Sequence, residues 1–351
     1  MENNSISKKK EHLLVIRLSA MGDVAMTIPV LKALKNAYPQ LKITVLTRAF
    51  FTPIFSQLSN VTVFEADVKE KHKGFFGLRK LYKELKKEKF TAVADLHNVL
   101  RSNILKRFFS FSKIPFIQIN KGRAEKKALT ASKNKVFKQL KTTHQRYADV
   151  FEELGYNLNL DDSCFLHKEQ LTEIAQEIAP KDHRKWIGIA PFAAFNGKTY
   201  PIKLMEEVVA KLNKTNNYSI LLFGGGEVEK NILQQWENNY SNCISMVGKF
   251  KLIDELSVIS NLDAMLSMDS GNGHLSAMYG VPTITIWGVT HPFAGFYPFG
   301  QPQENAILAD RKKFPLVPTS IYGNKFPVGY DKVMQTITPE EVVLKLNKIL
   351  K

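Results

Sequence analysis

The chain has 351 residues, 44% hydrophobic and 23% charged, with only two cysteines; this is globular composition and excludes a disordered, collagen-like or disulfide-stapled chain. At roughly 100–200 residues per domain, two domains are expected. The net charge of +16 is uneven: residues 1–150 carry 30 Lys+Arg against 11 Asp+Glu, and residues 151–351 carry 19 against 22, so the basic half alone either meets an anionic partner or serves solubility only.

Residues 1–12 read as a disordered tip. The apolar run at 13–16 (LLVI) is too short for a signal-peptide core, and Arg17 and Asp23 interrupt the stretch after it. No apolar run reaches the roughly 18–20 residues a bilayer span needs, which points to the cytoplasm. A strand at 13–16, a turn, a helix over 24–38 and a strand at 42–46 make a βαβ unit. Strands at 61–64, 92–96 and 115–119, with helices over 78–88 and 102–109, continue the series. Residues 120–147 are strongly basic without a clean apolar stripe, and read as a mobile loop and an exposed helix. A helix at 148–154 and a linker at 180–184 come next.

The pattern then restarts. Strands are expected at 186–190, 219–223, 264–268 and 283–287, with helices at 204–212, 228–238, 253–259 and 273–279. An amphipathic helix over 339–350 ends the chain. The fold class is α/β, with two consecutive parallel-sheet domains. Cys164 and Cys243 lie far apart and make no CxxC pair or zinc pattern, so no metal site is expected.

In parallel sheets, ligands bind beyond the carboxyl ends of the strands. Four loops fall there. Residues 17–23 (RLSAMGD) come after the first strand; Gly22 permits a tight turn, and Asp23 reads either as a helix N-cap or as a functional carboxylate. The loop lacks both the GxxxxGK[ST] and the GxGxxG pattern. Residues 191–201 bring Lys198 to a strand end, as a point charge for phosphate or as an ordinary solvated lysine. Residues 224–229 (GGGEVE) place Glu227 and Glu229 after a glycine turn, where a ribose diol is a natural partner. Residues 269–274 (DSGNGH) combine Asp269, Ser270, Gly271 and His274 at a helix start, either an anion site or plain turn chemistry.

Taken together, these segments resemble the family 9 glycosyltransferases, the bacterial lipopolysaccharide heptosyltransferases. HLLVIRLSAMGDVAMTIPVLKALKNAYPQLKITVLT is similar to the family's N-terminal signature, and ADLHNVLRS to a later strand and turn. IGIAPFAAFNGKTYPIKLMEEVVAKL resembles the entry to its second domain, and SMDSGNGHLSAMYGVPTITIWGVTHP its donor loop. The likeness runs over about residues 12–300, with the motifs in order.

The resemblance implies a GT-B fold, two facing Rossmann-like domains with a central cleft: an acceptor domain over 1–180 and a nucleotide-sugar domain over 181–330. The helix within 331–351 is a candidate to pack back on the first. It implies inverting transfer without metal or cofactor. The sugar is heptose-like, from a nucleotide-diphosphate donor with ADP-heptose favoured, to a lipopolysaccharide or lipooligosaccharide core. In this chain Asp23 matches the catalytic base and Lys198 the phosphate contact. Asp269, Ser270, Gly271 and His274 match the loop under the pyrophosphate, and Glu227 or Glu229 the ribose carboxylate. Arg17, Ser19, Lys121, Arg123, Lys126 and Lys127 are assigned to the phosphorylated glycolipid acceptor and an anionic membrane surface, with Lys133, Lys135, Lys138 and Lys141 in the same basic cluster. The enzyme is expected at the inner face of the cytoplasmic membrane.

The chain departs from the family pattern in three places. Tyr200 replaces a usual tryptophan, Asn272 and Gly273 stand where many members have proline and a larger residue, and residues 192–195 are unusually apolar. A different nucleotide sugar and glycan acceptor on the same fold is therefore the first alternative. The second, a basic nucleic-acid binder, predicts aromatic residues interleaved with the cations; residues 120–146 hold only Phe137, so no nucleic-acid partner is expected.

Overall fold

The computed structural model describes residues 11–351. The disordered tip expected over 1–12 lies mostly outside them; the two described residues at its end, Glu11 and His12, are ordered, and His12 opens the first strand. The first domain holds β1 (His12–Ile16), α1 (Met21–Ala25), α2 (Thr27–Ala37), β2 (Lys42–Thr47), β3 (Val61–Glu65), α3 (Gly74–Lys86), β4 (Ala92–Asp95), α4 (Leu100–Phe109), β5 (Phe116–Gln118), α5 (Arg123–Leu129) and α6 (Thr143–Glu153). A short helix, α7 (Glu173–Ile178), leads to the second domain: β6 (Lys185–Ala190), α8 (Ile202–Lys214), β7 (Tyr218–Leu222), α9 (Glu227–Asn239), β8 (Cys243–Ser245), α10 (Leu252–Ile259), β9 (Ala264–Met268), α11 (Gly271–Ala277), β10 (Thr283–Trp287), β11 (Ala306–Leu308) and α12 (Pro339–Ile349).

Both sheets are parallel throughout. The first runs β3-β2-β1-β4-β5 and the second β11-β10-β9-β6-β7-β8. Counted from its own first strand, each sheet reverses direction between strands one and four, the Rossmann order. The crevices therefore open where β1 meets β4 and where β6 meets β9. The central strands β1, β7 and β9 are buried at every position, as expected for strands covered on both faces.

The expected helix over 24–38 is two helices, joined at Met26. Pro29 is the cause: it has no N–H to give the Ala25 carbonyl, so the ladder breaks one turn before it. β8 and β11 were not expected. Each has three residues and lies at an edge of the second sheet, too short for a periodic pattern.

The last helix does not return to the first domain. Val342, Leu346 and Leu350 share a core with Met205, Val208 and Leu212 of α8, and the Lys185 ammonium donates to the Leu350 carbonyl. Residues 120–147 also differ from expectation. Here α5 and the start of α6 bury Leu129, His144, Arg146 and Tyr147. The stretch between them is tied to the second domain: Leu140 N–H donates to Phe293 O at 3.0 Å, and Thr143 N–H to Gly295 O at 2.8 Å. The segment is a strap joining the domains. Its apolar side chains are spread over both partners, which is why no stripe is visible in sequence.

Candidate functional site

Leaving β1, the chain buries Arg17, whose guanidinium donates to Leu96 O at 2.7 Å and pairs with Asp23 Oδ2 at 2.5 Å. Asp23 Oδ2 also accepts from Ala20 N–H at 3.3 Å. Ala20 is the N-cap of α1 and has no side-chain oxygen; Asp23, three residues on, reaches back to it. Asp23 is thus not the N-cap itself. The Tyr147 hydroxyl donates to Asp23 O at 3.3 Å, and Arg17 lies over the Tyr147 ring at 5.9 Å. The Asp23 side chain stays 30% exposed, toward a cavity.

That cavity is about 620 Å³. Arg17, Ser19, Asp23, Lys121, Arg123, Lys126 and Lys127 all line it, so the expected acceptor residues converge. Burial pulls Lys121 below the ordinary lysine value and Lys126 down to about 8, with neighbouring Arg17 and Arg146 respectively adding to the effect. Lys126 also stands 4.1 Å over the Phe296 ring. The rest of the basic cluster is elsewhere. Lys135 donates to Leu129 O and Pro318 O, and Lys141 pairs with Asp149 at 2.8 Å. Lys133 and Lys138 are exposed and do not line the cavity.

Of the lining residues left unassigned in sequence, four bear on its chemistry. His97 sits after β4, where Asp95 Oδ1 accepts its N–H at 2.9 Å. Burial pushes His97 down to about 3, with Arg17 and Lys121 contributing, and its Nδ1 has no partner among the described residues. Arg146 is buried against Glu125 at 2.5 Å, and Gly122 is required beside it, because its φ is +60° and a Cβ would collide with the guanidinium. Phe296 and Tyr322 come from the second domain. Only His97 had a signal, a histidine just past a strand's carboxyl end; the others come from the strap and a distant loop.

On the second domain, β6 and β9 are neighbours, and so are the loops at their carboxyl ends. Lys198 Nζ lies 3.0 Å from the buried Asp269 Oδ2, aligned too poorly to make a full hydrogen bond. Ser270 stands at the N-cap position of α11 without a side-chain capping hydrogen bond, and its hydroxyl meets Ser267 Oγ at 3.1 Å. Burial pushes His274 down to about 4 against the pull of Asp269 and Asp23. Glu229 Oε2 accepts from Gly225 N–H at 2.7 Å and closes its own loop. Glu227 is exposed and makes no hydrogen bond among the described residues.

The two motifs meet. α1 packs directly on α11, and a Cβ at Gly22 would stand 2.8 Å from His274 Cδ2 and 3.2 Å from Gly271 Cα. Gly22 is therefore a close-approach glycine as much as a turn residue. Asp23 on α1 and the Asp269–His274 turn that opens α11 are thus brought side by side from opposite domains. His144 of the strap is buried nearby and pushed down to about 3, with His274 adding to the effect of burial. Among the described residues, no group of three or more His, Cys, Asp or Glu is placed to hold a metal ion.

Known proteins place this arrangement. The family described as glycosyltransferase family 9 (heptosyltransferase) matches residues 78–321. The chain is 26% identical to lipooligosaccharide heptosyltransferase 2 of Haemophilus influenzae, over 97% of this chain and 99% of that one. In structure it is similar to a family 9 glycosyltransferase of Veillonella parvula, with a TM-score of 0.74, 20% identity and 99% of each chain covered. It is also similar to the ADP-heptose lipopolysaccharide heptosyltransferase II of Escherichia coli, with a TM-score of 0.66, 19% identity, and 97% and 98% covered. With the cleft, the paired sheets and this match over most of its length, the chain belongs to glycosyltransferase family 9, the heptosyltransferases, and is a glycosyltransferase of the GT-B fold.

Proposed function

We propose that the enzyme transfers a heptose-like sugar from ADP-heptose to the core of a lipopolysaccharide or lipooligosaccharide, with inversion and without a metal, at the inner face of the cytoplasmic membrane. One observation carries the reading: a carboxylate on α1, fixed by Arg17, opens into a cation-lined cavity at the contact with the α11 turn.

In this reading the acceptor's anionic groups lie against Lys121, Arg123, Lys126 and Lys127, with Ser19 beside the reacting hydroxyl. Asp23 accepts that hydroxyl's proton as its oxygen bonds the anomeric carbon. The bond to the diphosphate breaks on the opposite face, and ADP leaves with the electron pair. Lys198 and the Ser270–Gly271 turn neutralise the departing phosphates, while Asp269 orients the lysine. His274 packs beneath the turn. Glu227, the unengaged carboxylate, is the ribose partner, and Glu229 shapes the loop that presents it.

Asp23→Asn is the decisive variant. It keeps the size and the capacity to hydrogen-bond Arg17 and removes the basicity, and a positioned base contributes about 10²–10⁴-fold. Turnover on an authentic acceptor should fall about 10²-fold or more with ADP affinity nearly unchanged, while the melting temperature drops modestly because the buried Arg17 loses its charged partner. A variant that keeps most of its turnover assigns the base elsewhere.

A further inference from the structure

The first domain carries a second feature that the cleft does not use. α3 buries Leu78, Leu81 and Leu85 and turns Phe75 and Phe76 outward, 56% and 81% exposed. Phe111, in the turn after α4, is 82% exposed. Phe75 and Phe76 belong to one aromatic cluster, and Phe111 stands at its edge, one residue before Ser112. Phe75 meets Phe76 at 5.8 Å and Phe108 at 5.5 Å between ring centroids. Tyr82 touches Phe108 and Phe109, and its hydroxyl lies 3.0 Å from the hydroxyl of Ser112, next to Phe111. Scattered apolar residues on a surface need no explanation; a contiguous aromatic patch does.

The patch is framed by cations. Helical spacing puts Arg79, Lys80 and Lys83 on the side of α3 that carries Phe76, and Arg107 and Lys113 flank the aromatic residues of α4 and its turn. All five are exposed, and none is in an ion pair among the described residues. From residue 96 to residue 124 the chain has no carboxylate at all. A solvated basic face would have no use for outward phenylalanines, and a second copy of this chain would set cation against cation. Aromatic rings flanked by lysine and arginine are what an anionic membrane interface accommodates.

We propose that this face docks the enzyme on an anionic phospholipid bilayer, with Phe75, Phe76 and Phe111 entering the headgroup region and Arg79, Lys80 and Lys83 lying over the phosphates. The proposal rests on the reading above that the acceptor is a lipid-anchored glycan. The placement suits it. α4 begins beside Val99, which lines the cavity, and ends at the patch; ten residues of helix span about 15 Å. Contact with the bilayer would thus hold the cavity mouth close to the lipid surface.

Flotation with phosphatidylcholine vesicles, with and without phosphatidylglycerol, tests it. The wild type should bind the anionic vesicles, less so as salt rises. The exposed pair Phe76→Ser and Phe111→Ser should weaken that binding about 10-fold or more, and Lys80→Glu with Lys83→Glu several-fold. Lys133→Glu with Lys138→Glu, on the strap, should leave it unchanged. Transfer to a delipidated, water-soluble acceptor should be the same in every variant, which shows that they fold; if the wild type itself fails there, the reading of the reaction falls separately. Retention of vesicle binding by the Phe76/Phe111 variant overturns the docking face. So does a wild type that ignores anionic vesicles, or one that sediments as a dimer which the phenylalanine substitutions dissociate.

Discussion

The two halves of the cleft use one architecture for opposite ends. Each offers the loops where a Rossmann sheet reverses, β1 and β4 in the first domain, β6 and β9 in the second. The first domain gathers Lys121, Arg123, Lys126 and Lys127, none of them with a carboxylate partner among the described residues. The second brings one lysine, Lys198, and sets Asp269 beside it at 3.0 Å. The charge of the two halves, +19 against −3, divides the same way. Surplus cations suit a large, multiply charged acceptor. A single lysine already held by a carboxylate suits a diphosphate that must leave after every turnover, since tighter grip would retain the product.

The comparison is sharpest where one side is changed and the other read out. Lys198→Ala should weaken ADP binding by about 1.5–3 kcal/mol, the range for a hydrogen bond to a charged group, with the acceptor KM unmoved. Lys121→Ala with Lys126→Ala should do the reverse: a higher acceptor KM, steeper at low salt, and unaltered ADP affinity by calorimetry. Lys126, held to about 8, loses its charge first on raising the pH, so the acceptor KM should climb above about pH 8 while the donor KM stays level. If both variants shift both ligands alike, the cleft is one shared anion site and the division is wrong.

Acid tests what the halves share. Burial holds His97 and His144 near 3 and His274 and His291 near 4, against about 6.5 in an unfolded chain. Between about pH 4 and 6.5 the unfolded state therefore binds more protons, and stability falls as the pH falls. Each histidine contributes at most about 1.4 kcal/mol per pH unit. Thermal melts should drop steeply below about pH 6, and His144→Gln should flatten the slope. A melting temperature level from neutral pH to about 5 would contradict the burial of these rings.

Sequence alone reached most of this. β9 and β10 are the strands expected at 264–268 and 283–287, and the other central strands differ by a residue or two, because continuous apolar runs at parallel-sheet spacing leave little choice. Asp23, Lys198 and Asp269 were visible because each sits one loop past such a strand. What stayed hidden depends on contacts between distant segments. The strap hides its role because Phe137 packs on His291 and Phe293 and under Arg311, partners more than 150 positions away. Nothing local marks Lys135 as a donor to Pro318 rather than a membrane lysine. Asp23 as a reach-back carboxylate needed the helix start fixed at Met21, three residues before the expected start at 24.

The smallest expected effect bears on the division most directly. Tyr322 lines the first-domain cavity but belongs to the second-domain half, and it is 63% exposed. With Phe296, which lies under Lys126, it gives the cationic cavity an aromatic wall. Sugars present C–H groups on one face, and a phenol ring offers them a flat apolar surface with a hydroxyl at its rim. An exposed side chain holds little of the fold together, so Tyr322→Ala should leave the melting temperature and ADP affinity alone. The acceptor KM should rise several-fold, about 0.5–1.5 kcal/mol, the worth of one aromatic contact beyond its area. Tyr322→Phe should restore most of that, because the ring and not the hydroxyl supplies the surface. If Tyr322→Ala instead weakens ADP, the residue serves the donor and the cavity wall divides cleanly by domain. If the acceptor KM alone moves, the second domain reads part of the acceptor, and the strap that ties residues 129–143 to Phe293 and Gly295 is what keeps that wall in place.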